Sequence, residues 1–365
     1  MTFLEHARRV ADAVLYEGYV LYPYRKSAQK NRTRFQWGVL MPPAYDDPSE
    51  RTESLTECLL DAPDSASVTV TVRYLRLERT DGWDSGVEHE HAFTGVVGAL
   101  ADEVVHTVDG DVEVGIRAWR VAGPYQAVKL RVRVRNVAAA EGVLVTRDDA
   151  LPFAMVAQHL LIDVPDGAFV SMADPPEWAS FEVSTCSNVG SWPVLAGPPQ
   201  CRSMVLAAPI ILPDHPEIAP ESPGELFDGT EIDEILTLRT LVLTDEEKAE
   251  ARATDPRAAA LIDRVDGLSP EIMERLHGAI RSVSPRLVVG GVPVRKGSRV
   301  RMRPGTRRAD AQDLFLAGRL AVVEEILHDV DGNVHLALCP EDPDSDIQRW
   351  HGRFLYFAPD EVEPV

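Results

Sequence analysis

The residues of this chain best equipped for metal chemistry are His89 and His91, in the sequence EHEHAF. Two apart on a strand, both imidazoles fall on one face. Such a pair can grip zinc or a related ion when further ligands join it. The sequence does not identify those ligands, and the plainer expectation is a solvated strand face beside a charged hairpin. A second conceivable set is Cys186, Cys201, His159 and His215. The gap between its two thiols lacks the short spacing of a zinc knuckle. The four cysteines, Cys58, Cys186, Cys201 and Cys339, form no CxxC pair. They read as free, mostly buried thiols of a reducing compartment.

Other chemistries find less support. No GxSxG elbow is present, so nucleophilic acyl chemistry has no marker. Ser222 lies among prolines and acids, surroundings that oppose a lowered hydroxyl pKa. Neither GxxxxGK[ST] nor a GxGxxG after a strand appears, which leaves phosphate cradling unsupported. Glu217, Glu221, Glu225, Asp228, Glu231, Asp233 and Glu234 crowd into one turn-rich stretch. Their mutual repulsion wants open solvent, a cation or a basic partner. Near the C-terminus, Arg295, Lys296, Arg299, Arg301, Arg303, Arg307 and Arg308 follow one another without an acid between them. A basic strand with aromatics such as Phe354, Tyr356 and Phe357 could bind single-stranded nucleic acid by charge and stacking. It could equally be one wet strand face over a filled barrel.

Composition bounds the answer. A chain of 365 residues needs two domains or three. An apolar fraction of 45% with 26% charged residues describes a folded chain. A formal net charge of −21 argues against general affinity for polyanions, nucleic acid included. No apolar run approaches the roughly 20 residues that cross a bilayer. The amino-terminal stretch lacks the uninterrupted apolar core of a secretory signal. A cytoplasmic protein without a membrane span is therefore expected, and no cofactor is implied.

The elements that must position these residues are mainly strands. A short amphipathic helix is expected over residues 2–15, where Leu4, Ala7, Val10, Ala11 and Val14 recur at helical spacing. LYEGYVLYPYR and FQWGVLMPP then read as strands, from their tyrosines, valines and terminal prolines. Between residues 66 and 136 the alternation is clean. Val68, Val70, Val72 and Tyr74 share one parity, after which Leu75 and Leu77 fall on the other. That slip predicts a bulge or a strand covered on both faces. Val112, Val114 and Ile116, then Val128, Leu130, Val132 and Val134, predict an antiparallel hairpin with one buried face.

Downstream the pattern is less regular. LPFAMVAQHLLIDV fits a buried strand or a short helix, and periodicity does not decide between them. MVLAAPIILPDHP and ILTLRTLVL read as strands. Thr244 with Glu247 forms a capping-box pattern, and further helices are expected to start near Pro256 and Pro270. From about Val292, four or five short strands joined by tight turns fit a small barrel. The fold expected is thus α+β and mainly antiparallel β. It comprises a large β-sandwich-like core over 1–243, an acidic helical module over 244–288, and a small basic SH3-like or OB-like β-barrel over 289–365.

Three stretches resemble an uncharacterised family associated with gene clusters of actinobacterial-type, high-affinity nickel–iron hydrogenases. They are VLYEGYVLYPYRKSAQKNRTRFQWGVLMPP, the segment from HPEIAPESPGELFDGTEIDE to AAALIDR, and DAQDLFLAGRLAVVEEILHDVDGNVHLALCPEDP with GRFLYFAPDEVEP. Residues 44–110 lie outside the likeness. The resemblance implies an accessory role in assembling, maturing or scaffolding a hydrogenase, with a hydrogenase subunit or maturation factor as partner. It transfers no catalytic residue. Nickel-handling proteins usually carry histidine-rich or paired-cysteine sites, and their absence here favours a non-catalytic scaffold docking through Glu217, Glu221, Glu225, Asp228, Glu231 and Asp233. The alternatives are a metal-dependent enzyme at His89 and His91 or at Cys186, Cys201 and His215, and nucleic-acid binding by the C-terminal barrel.

Overall fold

A computed structural model of the chain describes residues 3–80, 82–122, 126–140, 142–218, 224, 226–227, 233–268, 287–289, 292–295, 297–303, 316–328, 334–341 and 355–365. The chain divides into two compact units, Met1–Leu276 and His277–Val365. Most of the regular structure is antiparallel β-sheet, with six α-helices among the described residues.

The first unit opens with α1 (Phe3–Leu15), as the helical spacing predicts. Ten strands follow: β1 (Glu53–Asp61), β2 (Ser67–Thr80), β3 (Trp83–Val96), β4 (Val104–Val108), β5 (Val112–Arg120), β6 (Ala127–Asn136), β7 (Val156–Asp163), β8 (Ala168–Phe169), β9 (Trp192–Leu195) and β10 (Met204–Ala208). Between them lie the short helices α2 (Arg147–Ala150) and α3 (Ser180–Ser184). The strands build two five-stranded sheets, ordered β4-β5-β6-β1-β8 and β3-β2-β7-β10-β9. Val112, Val114, Ile116, Leu130 and Val132 of one sheet share a buried cluster with Val68, Val70, Val72, Leu160 and Ile162 of the other. The predicted hairpin is β5 against β6, from Val112 opposite Asn136 to Arg120 opposite Val128.

The phase slip in β2 marks a strand covered on both faces: β2 pairs with β3 without interruption from Ser67 to Thr80, so Tyr74 and Leu75 point to opposite sides by plain alternation. The bulge lies in β7 instead, where Gln158 and Ala157 stand against the single Tyr74 between the pairs Arg73–His159 and Leu75–Val156, and Ala157 takes φ 52°. Val68 to Tyr74 belong to the inter-sheet cluster, whereas Leu75 and Leu77 join a second cluster. That second cluster gathers Tyr16, Tyr19, Val20, Tyr24 and Phe35 with residues of three further helices, α4 (Asp233–Leu241), α5 (Asp245–Thr254) and α6 (Pro256–Asp266).

Three expectations about strands fail here, the first two for one physical reason. LYEGYVLYPYR forms turns rather than a strand, and FQWGVLMPP contributes only isolated bridges, from Leu40 to Met155 and to Arg51. Their tyrosines and valines are buried by tertiary packing, which mimics strand composition without a ladder. ILTLRTLVL is largely helical in α4, where Leu236 and Thr240 are buried one turn apart and Thr240 Oγ1 donates to Leu236 O at 2.7 Å. The capping box at Thr244 and the proline at the start of α6 are present as expected. A helix expected near Pro270 falls outside the described residues.

One carboxylate ties this cluster together. Asp255 caps α6 by accepting from Arg257 N at 2.8 Å. Its Oδ2 also accepts from Tyr19 Oη at 2.8 Å and from Trp83 Nε1 at 3.0 Å. Beside it, the buried Arg34 guanidinium lies 3.3 Å from the Trp83 ring centroid and donates to the carbonyls of Tyr19 and Asp84, each at 2.9 Å. A cation stacked on an aromatic face and bonded to carbonyls is tolerable inside protein.

The second unit carries the hairpin β11 (Leu287–Val289) and β12 (Val292–Val294), and a curled, half-barrel sheet. That sheet orders β16 (Leu355–Phe357), β15 (Val334–Pro340), β14 (Leu320–His328), β13 (Arg299–Met302) and β17 (Val362–Pro364). The register of β14 on β15 shifts between Val323 and Glu325, a bulge of the kind that bends a sheet. Val300, Met302, Val323, Leu336, Leu338 and Phe357 share one buried cluster.

Two tests follow from the first unit. Asp255→Asn cannot substitute for the native residue, because an amide NH2 has no lone pair for two donors. Asp255→Asn and Asp255→Ala should each lower unfolding free energy by about 2–4 kcal/mol. A urea titration placing Asp255→Asn within about 0.5 kcal/mol of wild type would refute that view of the node. The second test concerns His159, which is fully buried. Its Nδ1 lies 2.8 Å from Ala157 O, its Nε2 has no partner, and burial pushes its pKa down to about 3. Above pH 6.5 both folded and unfolded states hold it neutral. Between there and pH 3 only the unfolded chain binds the proton, so stability falls with falling pH, by up to about 1.4 kcal/mol per unit. His159→Asn should flatten the stability profile between pH 6.5 and 5; an unchanged slope would show that His159 does not titrate in this way.

Candidate metal centre

Strand β3 is the outer strand of its sheet and pairs with β2 along its length, setting His89 opposite Tyr74 and His91 opposite Val72. Residues opposite each other in a ladder point to one side. His89, His91 and Phe93 therefore share the inward face with Tyr74, Val72 and Val70, while Glu88, Glu90, Ala92 and Thr94 are exposed. The expected shared face is thus correct. The expected solvated face is only half so: both rings are partly exposed at the margin of the inter-sheet cluster.

The other sheet ends in β4, where His106 stands opposite Val114 and Val108 opposite Val112, again on the inward face. The His106 and Phe93 rings stack with centroids 4.6 Å apart. Three histidines thus occupy inward positions on two outer strands, where alternation alone would call for aliphatic residues. Between β4 and β5, Asp109 and Gly110 both adopt positive φ, 51° and 80°, and Asp111 N donates to Val108 O at 3.1 Å. This is the geometry favoured by Asp-Gly in tight hairpins. It brings Asp109 to the histidines of the neighbouring sheet.

His89, His91 and Asp109 each offer a ligand atom, and these atoms all lie within 4.8 Å of one another. His91 Nε2 is 3.9 Å from Asp109 Oδ2, too far for a hydrogen bond, and that nitrogen is buried without a partner. The His89 ring stacks on Tyr74, centroids 5.1 Å apart and 11° from parallel. Arg76 bonds Asp111 and donates to Phe153 O at 2.5 Å. Burial holds the His89 pKa below its ordinary value, helped by Arg76 and His91 and opposed by Asp109 and Asp111. Burial also pushes the Tyr74 phenol up to about 12. At neutral pH the site therefore offers an unprotonated His89 beside a carboxylate, the donor state that borderline divalent ions need.

The other candidate residues are placed apart. Cys186 Sγ donates to Glu182 O at 3.5 Å, and burial pushes its pKa up to about 11. Cys201 packs with α1 in a different cluster, its Sγ 3.7 Å from Ser203 Oγ. His215 Nδ1 lies 3.1 Å from Gly197 O. Among the described residues these three form no group with the donor spacing of His89, His91 and Asp109. All four cysteines are free.

Of the acidic stretch, Glu217 is exposed, 3.9 Å from His6 Nε2, and Asp233 opens α4. Glu221, Glu225, Asp228 and Glu231 lie outside the described residues, as do Lys296, Arg307 and Arg308 of the basic run. Arg295, Arg299, Arg301 and Arg303 are exposed. Arg299 forks onto Glu341 through two 2.7 Å bonds, and Arg303 pairs with Glu363 at 2.5 Å.

Asp109 was absent from the sequence reading. Its signal was present nonetheless: an Asp-Gly pair between the alternating runs VVHTV and VEV marks a hairpin turn. What the sequence lacked was the pairing of the two sheets. No protein-family model matches the chain, and no curated protein matches it.

The electrostatics of the site can be read directly. Arg76→Gln removes a cation that disfavours the imidazolium and unpairs Asp111, so the His89 pKa should rise. An NMR titration of the imidazole C–H signals measures this; an unmoved His89 would refute the assigned balance of charges.

Proposed function

We propose that this protein is a non-catalytic accessory factor that binds a basic surface of a partner through its acidic segment, residues 217–234. The partner in this reading is a nickel–iron hydrogenase subunit or maturation factor. The observation that carries the docking role is the anchoring of that segment. Leu226 and Phe227 are buried, with the Leu226 carbonyl accepting from Tyr24 Oη at 3.1 Å and the Phe227 carbonyl from Gly18 N at 2.8 Å. Upstream, His215 N donates to Leu195 O at 2.7 Å; downstream, α4 buries Leu236, Thr237 and Thr240. A carboxylate-rich segment pinned at its middle and both flanks costs less to order on binding than a free tail. Its charge complements lysine and arginine and speeds their encounter.

The hydrogenase assignment rests on the resemblance of the three segments quoted above. A β-sandwich arrangement of the first unit, an SH3-like or OB-like second unit and a cytoplasmic location belong to the same reading. Among the described residues, no helix is long and apolar enough to cross a membrane. A metal-dependent enzyme is the second reading, favoured by the convergence of His89, His91 and Asp109.

The full-length protein, tagged and purified from cells producing the hydrogenase, should carry a hydrogenase subunit or maturation factor with it. The triple variant Glu225→Lys, Asp228→Lys and Glu231→Lys should reduce that capture at least about tenfold, and added salt should do the same to wild type. Capture by the variant at wild-type levels would remove the acidic segment from the interface. Wild-type protein that recovers neither class of partner would overturn the hydrogenase reading.

A further inference from the structure

We propose that His89, His91 and Asp109 form a binding site for one divalent transition ion of the zinc type, bridging the outer strands of the two sheets. This inference is independent of the docking role proposed above.

Three observations converge on it. The first is position: β3 contributes His89 and His91 from one sheet, and the β4–β5 turn contributes Asp109 from the other. Inward positions at the margin of a core normally carry apolar side chains, and departures from that pattern concentrate at functional places. The second is geometry. Ligands of a tetrahedral ion with bonds of about 2.0–2.1 Å stand roughly 3.3 Å apart. The donor atoms here lie within 4.8 Å of one another, and His91 Nε2 and Asp109 Oδ2 already approach to 3.9 Å. Asp109 is 64% exposed, so its side chain can rotate to close the remaining gap. The third is the buried, unpartnered His91 Nε2, which an ion would satisfy.

The surroundings suit a cation. Asp109 and Asp111 set two carboxylates against the single guanidinium of Arg76, which Asp111 itself engages. Stacking on Tyr74, with the rings 11° from parallel, restricts rotation of the His89 ring. Two imidazoles and one carboxylate select borderline divalent ions over magnesium or calcium, which prefer all-oxygen sites. Three protein ligands leave a fourth position for water or for a group from another molecule.

The experiment is zinc titration of the full-length protein, freed of metal by chelation, against a chromophoric competitor, with thermal unfolding in parallel. One equivalent should bind with a Kd at or below about 1 µM, and zinc should raise the unfolding temperature because the ion ties the two sheets together. His89→Ala with His91→Ala should weaken binding more than about 100-fold, beyond the range set by outer-shell changes. Asp109→Asn keeps a residue that tolerates positive φ, so the hairpin survives; it should weaken binding at least about tenfold. His6→Ala, on α1 and outside the donor group, should bind as wild type does. Failure of wild type to bind zinc, nickel and ferrous iron alike would overturn the proposal. So would unchanged stoichiometry and affinity in the folded Asp109→Asn protein and the double histidine variant.

Discussion

The constraint on which the first unit depends is that two pleated sheets must bury one face each in a single shared cluster. Val68, Val70 and Val72 can be dry only because Val112, Val114, Ile116, Leu130 and Val132 also feed that cluster. A pleat presents every second residue to that cluster, so a register slip of one would turn the whole set outward. An open sheet also has edges, and there the cluster must stop. Aliphatic side chains at the margin would leave apolar surface in water. His89, His91, Phe93 and His106 occupy it instead, and an imidazole pairs an apolar ring with a polar edge. The same half-wet position that makes histidine acceptable at the margin leaves its nitrogens available for chemistry.

Alternation along β2 lets one strand serve two cores. On one face Val72 and Tyr74 meet the other sheet; on the opposite face Leu75 and Leu77 meet the aromatic residues that follow α1, together with α4, α5 and α6. The second core is held by polar groups at its centre. Asp255 joins Tyr19, Trp83 and the start of α6, while Arg34 fills the space beside it. Burying these ions is costly, and each is tolerated because its bonding capacity is taken up. The node fixes where α6 lies against β3. Since β3 also carries His89 and His91, the helices and the candidate metal centre share one rigid strand.

Much of this was legible in the sequence where one local rule governed. Alternation located β2, β5 and β6, and the local parity change from Tyr74 to Leu75 marked a strand covered on both faces. Thr244 with Glu247, and Pro256 after Asp255, marked helix starts through capping chemistry within a few residues. The failures came where tertiary packing supplied the burial. Tyr16, Tyr19, Val20 and Tyr24 have strand composition but are covered by helices lying more than 200 residues away in sequence. The histidine pair was visible, yet its third member was not. Asp109 meets His91 only through the approach of two sheets, and no spacing rule records that.

Charge in the second unit illustrates the same limit. Read along the chain, the arginines from Arg295 to Arg308 form a basic run fit for a polyanion. Folded, Arg299 is held by Glu341 at the end of β15, and Arg303 by Glu363 of β17. Arg301 stands directly opposite Glu363 in the ladder. Cross-strand pairing thus sets carboxylates from distant segments against this strand, and a cation engaged with its neighbour must give up that contact before gripping a phosphate. The affinity of proteins for nucleic acid comes largely from cations that neutralise phosphates. With a net charge of −21, the long-range field opposes that approach as well. The surface charge of this chain is better matched to cations, whether a metal ion at the sheet margin or a basic protein surface.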